Sequence, residues 1–208
     1  MVNRQIEFPR DRPQVKDADV LAAMRAVPRH VFVPSHSRHT AYADSPLPIG
    51  EGQTISQPYI VALMTELLAV EPDSKILEIG TGSGYQAAVL AHLTHHVYSM
   101  EIIEKLATSA RKTLDDEGYK EVHSRFGDGY HGWPEHAPYD GIIVTCAAGH
   151  LPPPLWEQLA PGGRIVIPIG SPKEVQRLVV IEKDAEGRRT SRTIMPVNFV
   201  PLTRGDDK

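Results

Sequence analysis

The sequence has little cysteine, no long apolar run and no concentrated positive charge. Cys146 is its single cysteine, which excludes an intramolecular disulfide and favours a reducing compartment. No apolar stretch approaches the roughly 20 residues of a membrane-spanning helix. The start of the chain carries charges where a secretory signal peptide has its apolar segment. We therefore expect a cytoplasmic protein with no membrane partner.

Lysine and arginine are scattered, and the formal net charge is −4. The densest basic cluster consists of Arg188, Arg189 and Arg192, beside a predicted hairpin turn at residues 184–187. Proteins that hold a nucleic-acid backbone need a concentrated basic surface, so we expect no nucleic-acid partner. His92 and His96 are four residues apart, but no nearby acid completes a metal-ligand set. We therefore expect no bound metal.

Charged residues make up 23% of the chain and hydrophobic residues 41%, as is typical of a globular protein with one substantial core. From residue 57 to 170, apolar runs alternate with helical patterns, which predicts an α/β fold with a doubly wound, mostly parallel sheet. The predicted strands cover residues 75–79, 97–101, 122–126, 139–145 and 164–169. The predicted helices cover residues 59–69, 86–91, 102–117 and 151–159. Two last strands, residues 176–182 and 193–200, are expected to pair as a hairpin.

Residues 1–56 fall outside this alternation. Residues 1–16 are polar and interrupted by prolines, so we expect a loose arm there. The whole N-terminal part should pack on a main domain of residues 57–208, so that the two form a single structural unit. Its other expected elements are a helix capped by Asp17 or Asp19 and ended by Pro28, an extended run at residues 30–34 and a loop at residues 42–48.

The most informative stretch is residues 75–85, Lys-Ile-Leu-Glu-Ile-Gly-Thr-Gly-Ser-Gly-Tyr. A buried strand is followed by Gly80, Gly82 and Gly84, and a helical pattern resumes at Gln86. A strand, a tight glycine turn and a helix bring the backbone close to a nucleotide-like ligand. The spacing G-x-G-x-G differs from the dinucleotide pattern G-x-G-x-x-G, which disfavours a nicotinamide dehydrogenase.

Polar residues and glycines stand at the ends of four predicted strands. They are residues 78–84, Glu101, Asp128 with Gly129, and Thr145 with Cys146. Ligands of open parallel sheets bind at the carboxyl ends of the strands, and Glu101 is at the distance that reaches ribose hydroxyls. Acids dominate these ends, and the phosphate-loop pattern G-x-x-x-x-G-K-[ST] is absent. This favours a ligand with ribose hydroxyls, an amino-bearing base and a cationic centre, such as S-adenosylmethionine.

Residues 50–58 are rich in glycine, hydroxyl and amide side chains and precede a strong amphipathic helix. One interpretation is local: Ser56 or Thr54 caps the helix, and Pro58 occupies its first turn. The other is functional: the loop lies over the glycine turn and offers hydroxyl and backbone N–H groups to an anionic substrate. The residues themselves leave both interpretations open.

The sequence resembles the bacterial protein-L-isoaspartate (D-aspartate) O-methyltransferases from about residue 19 to residue 203. The resemblance is carried by residues 52–58, 77–85, 127–129, 159–164 and 199–203. The glycine turn is typical of Class I methyltransferases in general, whereas Gln-Thr-Ile-Ser-Gln-Pro at residues 53–58 is far more specific. The resemblance implies a seven-stranded, Rossmann-like methyltransferase sheet with an N-terminal helical extension and a C-terminal antiparallel hairpin.

The resemblance also implies an enzyme that transfers the methyl group of S-adenosyl-L-methionine to the α-carboxylate of L-isoaspartyl residues in damaged proteins and peptides, with D-aspartyl residues as an open second substrate. The methyl ester collapses to a succinimide, which can hydrolyse back to aspartate. Ser56 matches the family's active-site serine, and the protein is expected to be a monomer. The implied cofactor-binding residues are Glu78, Gly80, Thr81, Gly82, Ser83, Glu101, Asp128 and Gly129. The implied substrate-binding residues are Thr54, Ile55, Ser56 and Thr203.

Residues 145–150 depart from the family, where a run of alanines ending in proline is usual. Cys146 lies there and is interpreted as a small core residue rather than a reactive thiol. Two other classes remain open: a methyltransferase acting on RNA or a small molecule, and a non-catalytic protein that binds S-adenosylmethionine and isoaspartyl peptides. The charge balance disfavours an RNA substrate, and residues 53–58 disfavour a generic small-molecule enzyme. A turnover measurement would distinguish the enzyme from the non-catalytic protein.

Overall fold

The structure, a computed structural model, describes residues 1–9, 12–171 and 174–205. Its strands are β1 (Leu47–Gly50), β2 (Gln53–Ile55), β3 (Lys75–Ile79), β4 (His96–Glu101), β5 (His123–Phe126), β6 (Tyr139–Val144), β7 (Leu159–Ile169), β8 (Gln176–Lys183) and β9 (Arg189–Val197). Its α-helices are α1 (Ala18–Ala26), α2 (Pro58–Leu68), α3 (Tyr85–Ala91), α4 (Glu104–Asp116) and α5 (Pro153–Gln158). A π-helix, Val2–Glu7, and the 3-10 helices Arg29–Phe32, Ser35–Thr40, Gly129–His131 and Pro134–His136 complete the set.

Seven strands form the main sheet, in the order β5-β4-β3-β6-β7-β8-β9. The pairs from β5 to β7 are parallel, and β8 and β9 add an antiparallel hairpin. The predicted mostly parallel sheet with a C-terminal hairpin is therefore confirmed. The strand order reverses at β3, since β4 and β6 lie on its two sides, and such a reversal opens a crevice at the carboxyl ends of the strands.

The core lies on both faces of the sheet because successive strand residues point to opposite sides. Ile76 and Ile143 belong to one buried cluster, together with the apolar faces of α1, α2 and α3. Their neighbours Leu77 and Ile142 belong to the other, together with Leu155 of α5. This burial on both faces explains why the central strands are continuous apolar runs in the sequence.

The expected loose arm at the N-terminus is wrong for the residues that the structure describes; residues 10 and 11 lie outside them. Val2 and Ile6 lie one helical turn apart, and both side chains are buried in the core shared with α1 and α2. Val15 is also fully buried. Asp17 caps α1 as predicted, because its carboxylate accepts the N–H groups of residues 19 and 20. The boundary at residue 56 between two parts of the unit stays a prediction.

Three loop or strand predictions are also corrected. Residues 30–34, expected to be extended, are largely a 3-10 turn, and the fully buried Arg29 at its start donates from Nε to the Ala41 carbonyl over 2.8 Å. The two predicted loops before α2 contribute β1 and β2, which pair as a hairpin across residues 50–53. Residues 161–163, which follow the predicted helix at residues 151–159, lie within β7, whose pairing with β6 is irregular there.

Candidate functional site

The turn after β3 brings backbone, rather than side chains, to the carboxyl end of the sheet. Gly80, Gly82 and Gly84 all have positive φ, at +98°, +55° and +89°. A Cβ atom at Gly80 would lie 2.4 Å from the Thr145 hydroxyl, and that hydroxyl donates to the Gly80 carbonyl over 2.6 Å. The turn is thus pinned against the residue that follows β6, and a side chain at Gly80 would break this contact.

Glu101 ends β4 at the rim of the same turn. Its carboxylate accepts the Gly82 N–H over 2.8 Å and the Ile103 N–H over 2.9 Å. These two bonds fix the orientation of the carboxylate at the wall of a cavity of about 530 Å³, which we call the strand-end cleft. It is lined by Gly80, Gly82, Glu101, Gly129, Thr145 and the C-terminal residues 200–203, among others. The fixed acid suits a ligand that presents hydroxyl donors.

Glu78 and Thr81 are placed behind the cleft. Glu78 is fully buried, its carboxylate accepts a hydrogen bond from the Ser99 hydroxyl, and that hydroxyl lies 2.6 Å from the Thr81 hydroxyl. Burial raises the pKa of Glu78 to about 8, although the bond from Ser99 works in the opposite direction. Neither Glu78 nor Thr81 lines the cleft. They support the glycine turn, so Glu78 would affect a bound ligand through the position of that turn. Its direct cofactor contact stays a prediction.

Asp128 and Gly129 follow β5 on the other side of the cleft. Gly129 lines the cleft, and a Cβ there would lie 2.5 Å from Ile79. Asp128 accepts the Tyr130 N–H over 2.9 Å and Arg204 Nε over 3.0 Å. Burial opposes ionisation of Asp128, but these bonds outweigh it and the pKa lies below its ordinary value. Asp128 therefore ties the chain's C-terminal segment to the cleft.

The C-terminal segment carries Thr203 to the cleft wall. Ala147 donates its N–H to the Val200 carbonyl, and Leu202 donates to the Ala147 carbonyl, both over 2.8 Å. These backbone bonds place residues 200–203 along the cleft, beside Cys146. Cys146 is buried, and burial raises the pKa of its thiol above the ordinary value. A neutral buried thiol agrees with its interpretation as a small core residue.

The β1–β2 hairpin delivers Thr54, Ile55 and Ser56 to the opposite wall. The capping interpretation of Ser56 is wrong, because the N-cap residue of α2 is Gln57, whose side chain makes no capping hydrogen bond. Asp44 accepts the Tyr59 N–H over 2.9 Å instead. A cavity of about 410 Å³ lies between Ser56 and residues 80–83. Ile55 is buried in the core, which leaves its backbone for any substrate contact.

A second, larger depression lies next to the strand-end cleft, and we call it the groove. Its volume is about 1020 Å³. Arg12, Ser56 and Gln57 line one side, and residues 195–200 line the other. Thr54 and Thr145 line both the groove and the cleft, so the two spaces meet at these threonines. Ser83 faces the small cavity rather than the groove.

Sequence reasoning missed Arg12, Asp44 and Arg204. Arg12 and Asp44 lie in segments interpreted as an arm and a loop, where no periodicity marks a functional residue. Arg204 lies just beyond the last motif. Thr145 stands at a predicted strand end, but its contact with the Gly80 carbonyl depends on β3 and β6 lying side by side.

Among the described residues, membrane-spanning helices and groups of metal ligands are both absent. None of their helices is long and apolar enough to cross a membrane. Within the same ranges, His, Cys, Asp and Glu side chains form no group of three or more that could hold a metal ion.

The sheet order, the glycine turn and the acid at the end of the next strand define the chain as a Class I methyltransferase. Two solved structures share this fold. A protein-L-isoaspartate O-methyltransferase matches with a TM-score of 0.82 and 28% identity over 90% of this chain and 62% of its own. A Plasmodium falciparum structure, described as such an enzyme in complex with S-adenosyl-L-homocysteine, has a TM-score of 0.80 and 25% identity, covering 92% of this chain and 93% of its own.

The family profile of protein-L-isoaspartate (D-aspartate) O-methyltransferases matches residues 3–207, and the chain belongs to this family. Protein-L-isoaspartate O-methyltransferase 2 of Syntrophobacter fumaroxidans is 61% identical over 91% of this chain and 76% of its own length. The protein-L-isoaspartate O-methyltransferase of Gloeobacter violaceus is 52% identical over 98% of this chain and 97% of its own. The resemblance inferred from the sequence is therefore confirmed.

Proposed function

We propose that this protein transfers the methyl group of S-adenosyl-L-methionine to the α-carboxylate of L-isoaspartyl residues in damaged proteins and peptides. The observation that carries this proposal is the meeting of the strand-end cleft and the groove at Thr54 and Thr145. A methyl donor in the cleft and a peptide in the groove would meet beside Ser56. The ester product then collapses to a succinimide and can hydrolyse to aspartate.

The residues of the cleft fit S-adenosyl-L-methionine, which supplies an electrophilic methyl group when bound. Gly80 packs against Thr145 and Gly129 against Ile79, so backbone lines the cleft at both points, and Glu101 presents a fixed carboxylate toward hydroxyl donors. Gly80, Gly82, Glu101 and Gly129 would hold the cofactor directly. Thr81, Ser83 and Asp128 would shape its surroundings, and Glu78 would support the turn from below.

The protein need not supply a base, because the acceptor carboxylate is already ionised at pH 7. It has to strip water from this weak nucleophile and hold one oxygen toward the cleft. Ser56 is half-buried at the junction, and its hydroxyl is not used to cap α2. We assign Ser56 the role of orienting the carboxylate, with Thr54, the Ile55 backbone and Thr203 as neighbouring substrate contacts.

Ser56→Ala should lower kcat about tenfold to a hundredfold, since a hydrogen bond to a charged group contributes about 1.5–3 kcal/mol. Binding of S-adenosyl-L-homocysteine, measured by calorimetry, should stay as in the wild type. Ser109→Ala, on the exposed face of α4, is the matched control. An unchanged rate in Ser56→Ala would remove this residue from the mechanism.

The substrate class is tested with paired peptides that differ only in L-isoaspartate or L-aspartate at one position. With labelled S-adenosylmethionine, base-labile label should appear on the isoaspartyl peptide alone. A third peptide, with D-aspartate at the same position, measures methylation of D-aspartyl residues separately. Cofactor binding with no label on any peptide would favour the non-catalytic alternative.

We further propose that the protein acts as a cytoplasmic monomer without a nucleic-acid partner. A lone, buried Cys146 suits a reducing compartment. The basic cluster at the β8–β9 turn is partly neutralised, because Arg188 pairs with Asp184 and Glu186. Light scattering tests the monomeric state, and partition between cell fractions tests the cytoplasmic location.

A further inference from the structure

Arg12 is the single charged side chain among the described residues that line the groove. The other lining residues are apolar or uncharged, including Ser56, Gln57 and Asn198. A guanidinium in such surroundings is a strong hydrogen-bond donor in a space that we assign to a peptide. Its side chain is 25% exposed, so part of it faces the groove.

Contacts with α2 and Asp44 hold the guanidinium in place. Its Cζ lies 3.9 Å from the centre of the Tyr59 ring, and Nη2 pairs with the Asp44 carboxylate. The Tyr59 hydroxyl donates to the Pro13 carbonyl over 3.0 Å, which fixes the backbone next to Arg12. Stacking on an aromatic ring and an ion pair together restrict a side chain that would otherwise lose much entropy on binding.

Asp44 links this guanidinium to the first turn of α2. One carboxylate oxygen accepts the Tyr59 N–H over 2.9 Å, and the other accepts Gln57 Nε2 over 3.3 Å in addition to Arg12. Gln57 directly follows Ser56. The position of Arg12 relative to Ser56 is therefore set by a short chain of bonds rather than by a mobile arm.

The guanidinium of Arg12 has more hydrogen-bond donors than its contact with Asp44 uses. Arginine carries five N–H donors, and the bond from Nη2 to Asp44 uses one of them. Nε is buried without a hydrogen-bond partner in the described part of the chain. A buried donor without a partner in an otherwise well-paired protein is uncommon, and the donors on the exposed quarter of the side chain can reach a ligand in the groove.

We propose that Arg12 is a substrate-binding residue that donates hydrogen bonds to a main-chain carbonyl of the peptide, next to the isoaspartyl residue. This rests on the proposed function, because the peptide must occupy the groove. Asp44 already balances the charge of Arg12, so a neutral acceptor suits the site better than a second carboxylate. Arg12 would thus recognise polypeptide as such, independent of the side chains around the damaged residue.

Arg12→Met tests the proposal in the full-length protein. The KM for an isoaspartyl peptide should rise about tenfold, as expected for the loss of a hydrogen bond from a charged donor. The kcat and the affinity for S-adenosyl-L-homocysteine should stay unchanged, and Arg12→Lys should recover part of the loss. Arg25→Met is the matched control, because Arg25 also pairs with an acid, Glu7 over 2.8 Å, but does not line the groove.

Peptides in which one flanking amide at a time is replaced by a thioamide, a weaker acceptor, identify the partner. One position should raise KM for the wild type and leave KM unchanged for Arg12→Met, since the two changes remove the same bond. The double variant Arg12→Met/Asp44→Asn removes the unpaired acid and should behave as Arg12→Met does.

Three results would overturn the proposal. The first is an unchanged KM in Arg12→Met. The second is a loss confined to peptides with a neighbouring Glu and absent from those with Gln, which would assign a carboxylate as the acceptor. The third is a parallel fall in kcat and cofactor affinity that Arg12→Lys does not reverse, which would assign a structural role. Failure of the proposed function is distinguishable, because the wild type would then label no isoaspartyl peptide.

Discussion

The strand-end cleft and the groove are neighbours, but they are built in different ways. The cleft is formed mainly by residues that directly follow β3, β4, β5 and β6, and each lies in or beside a recognisable sequence motif. The groove is formed by Arg12, Ser56 and residues 195–200, which are far apart along the chain. Sheet topology assembles most of the cleft, whereas the packing of segments outside the alternating unit assembles most of the groove.

The two sites therefore depend on different parts of the fold. Parallel strands place their carboxyl ends at one edge, so a cofactor site there depends on little beyond strand order. A site for a polypeptide needs surfaces from several segments, and here the N-terminal part, the β1–β2 hairpin and the end of β9 supply them. The following variants should affect the cleft and spare the groove to different degrees.

Gly80→Ala should have the largest effect. The new Cβ would lie 2.4 Å from the Thr145 hydroxyl at a φ of +98°, a combination of clash and backbone strain that we expect to cost about 3 kcal/mol. Cofactor affinity should fall more steeply than peptide affinity. Calorimetric binding and thermal unfolding measure the two effects.

Gly149→Ala is the control for this change. Nothing lies within 4 Å of a Cβ built at Gly149, and it carries no positive φ. Its unfolding temperature should match the wild type. Equal stability of Gly80→Ala and Gly149→Ala would show that the glycine turn is not under steric constraint.

Glu78→Gln should have an intermediate, pH-dependent effect. Because burial raises the pKa of Glu78 to about 8, the folded protein binds this proton more tightly than the unfolded chain does. Stability should therefore fall as pH rises from about 4.5 to 8, and Glu78→Gln should remove this fall. The stability of Glu78→Gln relative to the wild type should rise by about 2–3 kcal/mol from pH 6 to pH 8.5.

Urea unfolding of both proteins at the two pH values checks this prediction. Glu78→Ala separates charge from packing, because it also removes the acceptor of the Ser99 hydroxyl. It should be less stable than Glu78→Gln at either pH. An identical pH dependence for wild type and Glu78→Gln would contradict the assigned titration.

Arg204→Met should have the smallest effect and should show where the two regions are joined. It removes the ion pair with Asp128 over 3.0 Å and the stacking on Tyr130, where Cζ lies 3.7 Å from the ring centre. Since a partly exposed pair contributes about 1 kcal/mol or less, cofactor affinity should fall about threefold. The KM for the peptide should stay constant. A larger change in this KM than in cofactor affinity would assign Arg204 to peptide binding in the groove.

The N-terminal part shows why some residues of the site could not be predicted from the sequence. Short segments with proline and few apolar residues have no clear period, so the burial of Ile6 and Val15 could not be inferred from pattern. Ser56 was ambiguous between cap and substrate contact for a similar reason. Only the position of Asp44 at the start of α2 decides between the two interpretations.

Local sequence patterns predict the alternating strands and helices, the glycine turn, Glu101 at the end of β4 and membership of the family. These features depend on local periodicity and on residues close together in the chain. The tertiary structure alone decided that Glu78 is buried beneath the turn, that the cleft and the groove meet at Thr54 and Thr145, and that Arg12 faces the groove. Such contacts join residues tens of positions apart, and only the packing of the whole chain brings them together.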